Sequence, residues 1–133
     1  MRKRHAVERD VAPDDIIRMI SLARVAVGAA LALMPRRAVR WWLGEPATPG
    51  LRHAARSLGA RDAALGLGTL IALENDGDVS RWLEAQAMSD ATDAFATLAS
   101  FKHLPKARRW INLVLPIAST VTCLTLAAER DED

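Results

Sequence analysis

Two long apolar stretches dominate the pattern of hydrophobic and polar positions along this chain. Residues 16–34 are interrupted by a polar or charged residue at only three positions, and residues 110–128 contain no charged residue. Each stretch is long enough to cross a hydrocarbon layer about 30 Å thick as a helix. Residues 52–73 and 81–101 are similar in length but more polar. The pattern therefore predicts two strongly apolar helices and two amphipathic helices.

Helix-stopping signals divide the chain into four helices. Pro35 and Pro105 end helical patterns, and residues 74–78 (Glu-Asn-Asp-Gly-Asp) form a turn sequence. We predict a single domain over residues 1–133, with a polar lead over residues 1–12 and helices over about 14–34, 51–73, 78–101 and 106–128. Residues 35–43 mix arginines with apolar side chains, which is typical of a segment lying at a membrane surface. The predicted fold class is all-α: a four-helix transmembrane bundle with a short interfacial amphipathic segment after the first helix.

The third predicted helix carries a polar stripe on one face. At about 100° per residue, six polar side chains fall within one arc, whereas Ala87, Ala91, Phe95 and Leu98 point away from it. The six are Gln86, Ser89, Asp90, Asp93, Thr97 and Ser100. Such a stripe on an otherwise apolar helix predicts a polar layer inside the bundle.

Charged residues of different helices are expected at one depth of the bundle. Asp62 and Asp90 lie at equal distances along the sequence from the middle of the turn, on opposite sides of it. If the flanking helices are antiparallel, both carboxylates lie about 21 Å from the turn. Arg61 and Asp93 fall at nearly the same level, and Arg24 of the first helix is expected there as well.

The fourth helix adds a backbone group to the predicted polar layer. Pro116 lacks an N–H, so it leaves the carbonyl of Asn112 without its helical hydrogen bond and is expected to kink the helix.

The charged residues at this depth are expected to form ion pairs. Each charge costs about 2.5–3.5 kcal/mol at the bilayer centre, and pairing makes that cost tolerable. The predicted ligand-binding residues are Arg24, Arg61, Asp62, Gln86, Ser89, Asp90, Asp93 and Asn112.

The tryptophans stand beside arginines at the ends of predicted helices. Trp rings prefer the membrane–water interface, where a neighbouring Arg reaches lipid phosphate. The predicted interface residues are Trp41, Trp42, Trp82 and Trp110. The two basic connections, after helix one and after helix three, share one side of the bundle, and the positive-inside rule makes that side cytoplasmic. The basic residues 2–4 argue for the opposite orientation.

Composition narrows the function classes. A net charge of +2 over 133 residues is too small to favour nucleic acid as a partner. His5, His53 and His103 have no second ligand at metal spacing, so we predict no metal site and no cofactor. Cys123 lies in the last apolar stretch, where a small buried hydrophobe is the expected role.

Short motifs on the second and third helices resemble a known group of proteins. The sequence GARDAALGL at residues 59–67, followed by DATD at residues 90–93, looks like the pattern of small four-helix bacterial integral membrane proteins that stand loosely beside the DoxX-like proteins. The resemblance covers most of the chain from the first helix onward. It implies an integral-membrane bundle in the bacterial plasma membrane. It does not imply any particular reaction.

Three functions are compatible with the predicted polar layer. It could fix helix register in a membrane scaffold, or bind a lipophilic molecule with a polar head, such as a quinone, isoprenoid or lipid. It could also catalyse acid–base chemistry (isomerisation, cyclisation or epoxide opening) through Asp90, Asp93 and Asp62, with Arg61 positioning the carboxylates. The expected partners are the lipid bilayer, a lipophilic small molecule, and a second copy of the chain or another membrane protein.

Overall fold

The computed structural model of this protein describes residues 12–131, and within that range it contains helices and no strands. The helices are α1 (Pro13–Leu33), α2 (Pro35–Leu43), α3 (Pro49–Glu74), α4 (Val79–Ala99) and α5 (Lys106–Asp131). The all-α prediction is confirmed. The four long helices begin and end close to their predicted ranges, and the predicted interfacial segment forms the additional helix α2. The polar lead predicted for residues 1–12 lies, except for Ala12, outside the described residues.

Local signals explain where the helices begin and end. Proline occupies the first turn of α1, α2 and α3, where its missing N–H leaves no helical hydrogen bond unmade. Thr48 caps α3 by accepting a hydrogen bond from the Leu51 N–H (3.3 Å), and Asp78 caps α4 through the Arg81 N–H (3.1 Å). Gly44 ends α2 with a φ of 75°, a left-handed conformation that favours glycine.

α1 and α3 pack antiparallel with their backbones in contact. A Cβ placed on Gly28 would lie 2.5 Å from the backbone nitrogen of Ala63 and 2.6 Å from the carbonyl oxygen of Gly59. A Cβ on Gly66 would lie 2.7 Å from the carbonyl oxygen of Ser21. Only glycine allows helices to approach so closely, as in membrane helix pairs with small residues at the interface. These contacts fix the register of α1 against α3.

α4 packs antiparallel on α5, with hydrogen bonds from threonine side chains to the facing backbone. Thr97 Oγ1 donates to the carbonyl of Asn112 (3.3 Å), and Thr120 Oγ1 donates to the carbonyl of Ala87 (3.4 Å). Among the described helices, α1 on α3 and α4 on α5 are the two most extensive contacts. The fold is therefore two antiparallel helix pairs, joined by the turn at residues 75–78.

Two apolar cores hold these elements together. The larger one joins the two helix pairs near the turn, and its buried members include Ile17, Ala72, Val79, Leu83, Ala87, Cys123 and Leu126. The smaller one seats α2 on α1 and α3 through Leu31, Val39 and Ala55. Between these cores lies the level at which the sequence predicts a polar layer.

Candidate functional site

Five charged side chains from three helices meet between the two helix pairs, and we refer to them as the Arg–Asp network. They are Arg24 of α1, Arg61 and Asp62 of α3, and Asp90 and Asp93 of α4. The glycine contacts between α1 and α3 bring Arg24 beside Asp62, with Nη1 3.4 Å from Oδ1. The buried Arg–Asp ion pairing predicted from the sequence is confirmed.

Arg61 and Asp93 form a two-point ion pair across α3 and α4. Nη1 of Arg61 donates to Oδ1 of Asp93 (3.1 Å), and Nη2 donates to Oδ2 (2.6 Å). Parallel hydrogen bonds of this kind are the strongest arrangement for an arginine and a carboxylate. The same guanidinium donates through Nε and Nη2 to Oδ1 of Asp62 (3.3 and 3.2 Å). Asp62 therefore accepts hydrogen bonds from both arginines of the network.

Arg24 connects the first helix pair to the second. Its Nη2 donates to Oδ2 of Asp90 and, at 3.1 Å, to the hydroxyl oxygen of Ser119 in α5. Ser119 in turn donates to the same carboxylate oxygen of Asp90 at 2.5 Å. Ser119 is the contribution of α5 to the network, and sequence reasoning missed it. The sequence feature that could have indicated Ser119 is a hydroxyl residue one helical turn after Pro116, in a span that contains no charged residue.

Burial decreases from one end of the network to the other. The side chains of Arg24 and Asp90 are 9% and 8% exposed, whereas those of Arg61 and Asp93 are 33% and 36% exposed. Arg24 and Asp90 are thus enclosed among α1, α4 and α5. The Arg61–Asp93 pair forms an accessible edge on the side where α3 faces α4.

The network carries unused acceptor capacity. Two guanidinium groups face three carboxylates, which leaves one formal negative charge when all five are ionised. Within residues 12–131, Oδ2 of Asp62 and Oδ1 of Asp90 accept no hydrogen bond. An ionised carboxylate accepts several hydrogen bonds, so these two oxygens keep the capacity for a further donor.

Gln86 belongs to a second polar cluster, separate from the Arg–Asp network. Its Nε2 donates to Oγ1 of Thr69 (2.5 Å), and Thr69 donates to the carbonyl of Leu65 (2.9 Å). The thiol of Cys123 lies 3.8 Å from Oε1 of Gln86. Because Thr69, Gln86 and Cys123 are at most 1% exposed, this cluster links α3, α4 and α5 in a dry environment.

Ser89 and Asn112, the other predicted ligand-binding residues, also lie outside the network. The hydroxyl of Ser89 is buried and has no hydrogen-bond partner among the described residues. α5 continues through Pro116, and the Asn112 carbonyl accepts a hydrogen bond from Thr97. Asn112 lies two turns before Ser119, which is about 10 Å along the helix. The roles of Gln86, Ser89 and Asn112 in ligand binding stay predictions.

The tryptophans occupy both ends of the bundle. Trp41 and Trp110 are exposed near the α2 end, where Trp42 packs partly into the smaller core. Trp82 lies near the opposite end, with its ring directly against Gly68 of α3. With three tryptophans at one end and one at the other, these positions agree with the predicted interface residues, whose role at a membrane stays a prediction.

Two cavities lie beside α2, and neither is lined by a residue of the Arg–Asp network. Among the described residues, no group of three or more His, Cys, Asp or Glu side chains is arranged to hold a metal ion.

No family model, curated protein or solved structure matches this chain. The likeness to DoxX-like proteins consequently stays a prediction.

Proposed function

We propose that this chain is a small integral membrane protein whose Arg–Asp network binds the polar head of a lipophilic small molecule. The observation that carries the proposal is the accessible Arg61–Asp93 pair. Because α3 runs from Pro49 to Glu74, Arg61 places the pair at mid-length of the helix. A partly exposed ion pair in the middle of a membrane bundle is costly beside lipid tails, so a polar ligand group that contacts the pair would stabilise it.

Two helices support the membrane location. In the described part of the chain, α1 and α5 are long and apolar enough to cross a bilayer, and only 22% of the apolar window of each is buried within the protein. A core helix of a water-soluble protein would be mostly buried. The exposed side chains include large hydrophobic residues on both helices, among them Leu22, Val27, Val114, Leu115 and Val121.

The less apolar helices α3 and α4 fit the same location because their charges face each other. Arg24, Arg61, Asp62, Asp90 and Asp93 are paired, which offsets the cost of about 2.5–3.5 kcal/mol that each would carry at the bilayer centre. Their outward surfaces carry exposed apolar side chains, among them Leu67, Ile71, Met88 and Leu98, whereas their exposed charged residues lie near the helix ends. Along the middle of these helices, the accessible edge is therefore the place where lipid contact leaves a charged pair without a polar partner.

The accessible edge supports a ligand with both apolar and polar parts. Leu58 and Ala96, one turn from Arg61 and from Asp93 respectively, are exposed and would contact an apolar body. The Arg61 guanidinium retains one free N–H, on Nη1, and each carboxylate oxygen of Asp93 can accept a further hydrogen bond from the head group. A quinone, an isoprenoid alcohol or a lipid has this division of polar and apolar parts.

Copurification tests the proposal. The full chain is extracted from membranes in detergent, purified, and extracted with organic solvent for mass spectrometry. We expect a defined lipophile that Asp93→Asn and Arg61→Gln lose while the protein stays helical by circular dichroism. Glu84→Gln is the matched control, because within the described residues Glu84 pairs only with exposed Arg81, at 3.5 Å. Recovery of the protein in plain buffer without detergent would contradict the membrane location.

The scaffold function predicts a different outcome from the same experiment. No lipophile copurifies, and Arg61→Gln lowers stability in detergent without any other loss. The enzyme function has one observation in its favour, the accessibility of Asp93, which a general acid or base needs. It predicts that Asp93→Asn abolishes conversion of the copurified lipophile while its binding persists. Asp90 is a poorer candidate, because Arg24 and Ser119 both engage its Oδ2 atom.

A further inference from the structure

A strongly basic cavity lies among α1, α2 and α3, away from the Arg–Asp network. Its volume is about 410 Å³, and four of its lining side chains are arginines. Arg36 and Arg37 come from the first turn of α2, and Arg52 and Arg56 come from the first turns of α3. Among residues 12–131, no acidic side chain lines it.

These four guanidinium groups have no counter-charge in the described structure. Within residues 12–131, none of them forms an ion pair, whereas every arginine of α1, α4 and the rest of α3 does so. Four like charges around one cavity repel one another, and an anion among them relieves that repulsion. Pro35 begins α2 in the cavity wall, so the positive end of that helix dipole lies there as well.

An apolar groove continues from the basic cavity. Its volume is about 280 Å³, and Met34 and Arg37 line both spaces. The remaining walls are apolar, from Val27, Ala30 and Leu31 of α1 to Trp41 and Trp42 of α2. The molecule therefore presents a site for an anionic group directly beside a site for a hydrocarbon chain.

The walls of the two spaces are held in place by the smaller core. Val39 of α2 is buried against Leu31 of α1 and Ala55 of α3, and Pro35 is buried as well. α2 is thereby fixed at the angle that forms both spaces. Arg108, another basic residue at this end, already lies over the Trp41 ring, 5.8 Å from its centroid.

We propose that the basic cavity and the apolar groove together bind one anionic phospholipid. The arginines hold the phosphate and head group, since guanidinium groups bind phosphate oxygens at two points. One acyl chain lies in the groove beside Trp41, at the depth where tryptophan and arginine meet lipid head groups. The groove argues for a phospholipid over free phosphate, which has no apolar part. This inference rests on the proposed membrane location.

Competition between two lipids tests the site. The full chain is purified in detergent, mixed with equal amounts of phosphatidylglycerol and phosphatidylcholine, and examined by native mass spectrometry. The wild type is expected to retain one phosphatidylglycerol in preference to phosphatidylcholine. Arg52→Gln/Arg56→Gln is expected to reduce that preference about thirtyfold, because each basic residue at a membrane surface contributes about a factor of five.

A matched double variant separates this site from the general charge of the same end. Lys102→Gln/Lys106→Gln removes the same charge from exposed residues that line neither space. We expect it to leave the preference unchanged. An equal loss in both double variants would overturn the site, because it would mean diffuse attraction to a basic surface.

The groove has its own test. Ala30→Phe narrows the groove without changing charge, and it is expected to weaken phosphatidylglycerol retention while inorganic phosphate binding, measured by calorimetry, does not change. Tight binding of inorganic phosphate together with unaltered lipid retention in Ala30→Phe would identify a free phosphate site and overturn the lipid site.

The outcomes distinguish this inference from the proposed function. A detergent-extracted protein that retains both lipids equally overturns the phospholipid site alone. A protein that is recovered in plain buffer overturns both. Loss of a copurified lipophile in Asp93→Asn, with phosphatidylglycerol still retained, supports two independent sites.

Discussion

Arg24 of α1 donates a hydrogen bond to Asp90 of α4, and this ion pair joins the two helix pairs across 66 positions of sequence. The two side chains are only 9% and 8% exposed. Removing the arginine would leave Asp90 buried without a cation and would remove one of the two arginines that donate to Asp62. Uncompensated buried charge is among the most destabilising changes a protein can undergo.

Arg24→Gln is therefore expected to lower the free energy of unfolding by about 3 kcal/mol. The measurement is unfolding in mixed detergent micelles with increasing dodecyl sulfate, followed by far-ultraviolet circular dichroism. Arg18→Gln is the control, since Arg18 pairs with Glu74 at 2.9 Å on an exposed surface and should cost less than about 1 kcal/mol. Similar losses in the two variants would show that the network does not join the helix pairs.

Substitution of Gly28 tests the close approach of α1 to α3. Gly28→Ala places a methyl group against the backbone of Gly59 and Ala63, which cannot move without separating the helices. We expect a loss of about 1–3 kcal/mol in the same unfolding experiment. Gly50→Ala, where no atom of residues 12–131 lies within 4 Å of the added Cβ, should be neutral or slightly stabilising. A neutral Gly28→Ala would be incompatible with the described packing.

Trp82 and Gly68 offer a double-mutant cycle between α4 and α3. A Cβ on Gly68 would collide with the Trp82 ring, so Gly68→Ala should displace the ring and lower stability by about 1–2 kcal/mol. In a Trp82→Leu background the same substitution should cost almost nothing. The coupling energy from the four unfolding curves is the measurement. Additive effects would mean that the two residues do not touch.

Cys123 provides a reporter of unfolding. Its side chain is 1% exposed in the larger core, so a maleimide reagent should modify it only after the bundle opens. We expect negligible labelling of the folded protein in detergent and rapid labelling above the dodecyl sulfate midpoint. In Arg24→Gln the labelling midpoint should fall to lower dodecyl sulfate, in step with circular dichroism. Rapid labelling of the folded wild type would contradict the position of α5.

The sequence by itself determined the helices and the depth of the main charges. Prolines and the turn at residues 75–78 mark the helix ends through backbone chemistry that acts locally. Because α3 and α4 are joined by a short turn, the constant rise per residue of an α-helix is enough to place Arg61 opposite Asp93. The level at which side chains of two consecutive helices meet can therefore be predicted without the rest of the fold.

Only the tertiary structure decided how the network is completed. Arg24 reaches Asp90 because the contacts of Gly28 and Gly66 set the register and rotation of α1, and no sequence period encodes those quantities. The rotation of α5 likewise brings Ser119 into the network, about 10 Å along the helix from Asn112. Gln86 pairs with Thr69 for the same reason, since the approach of two helices selects one partner among several polar residues on a face. Rise along a helix follows from local geometry, but rotation about its axis is fixed by the sum of contacts with distant residues.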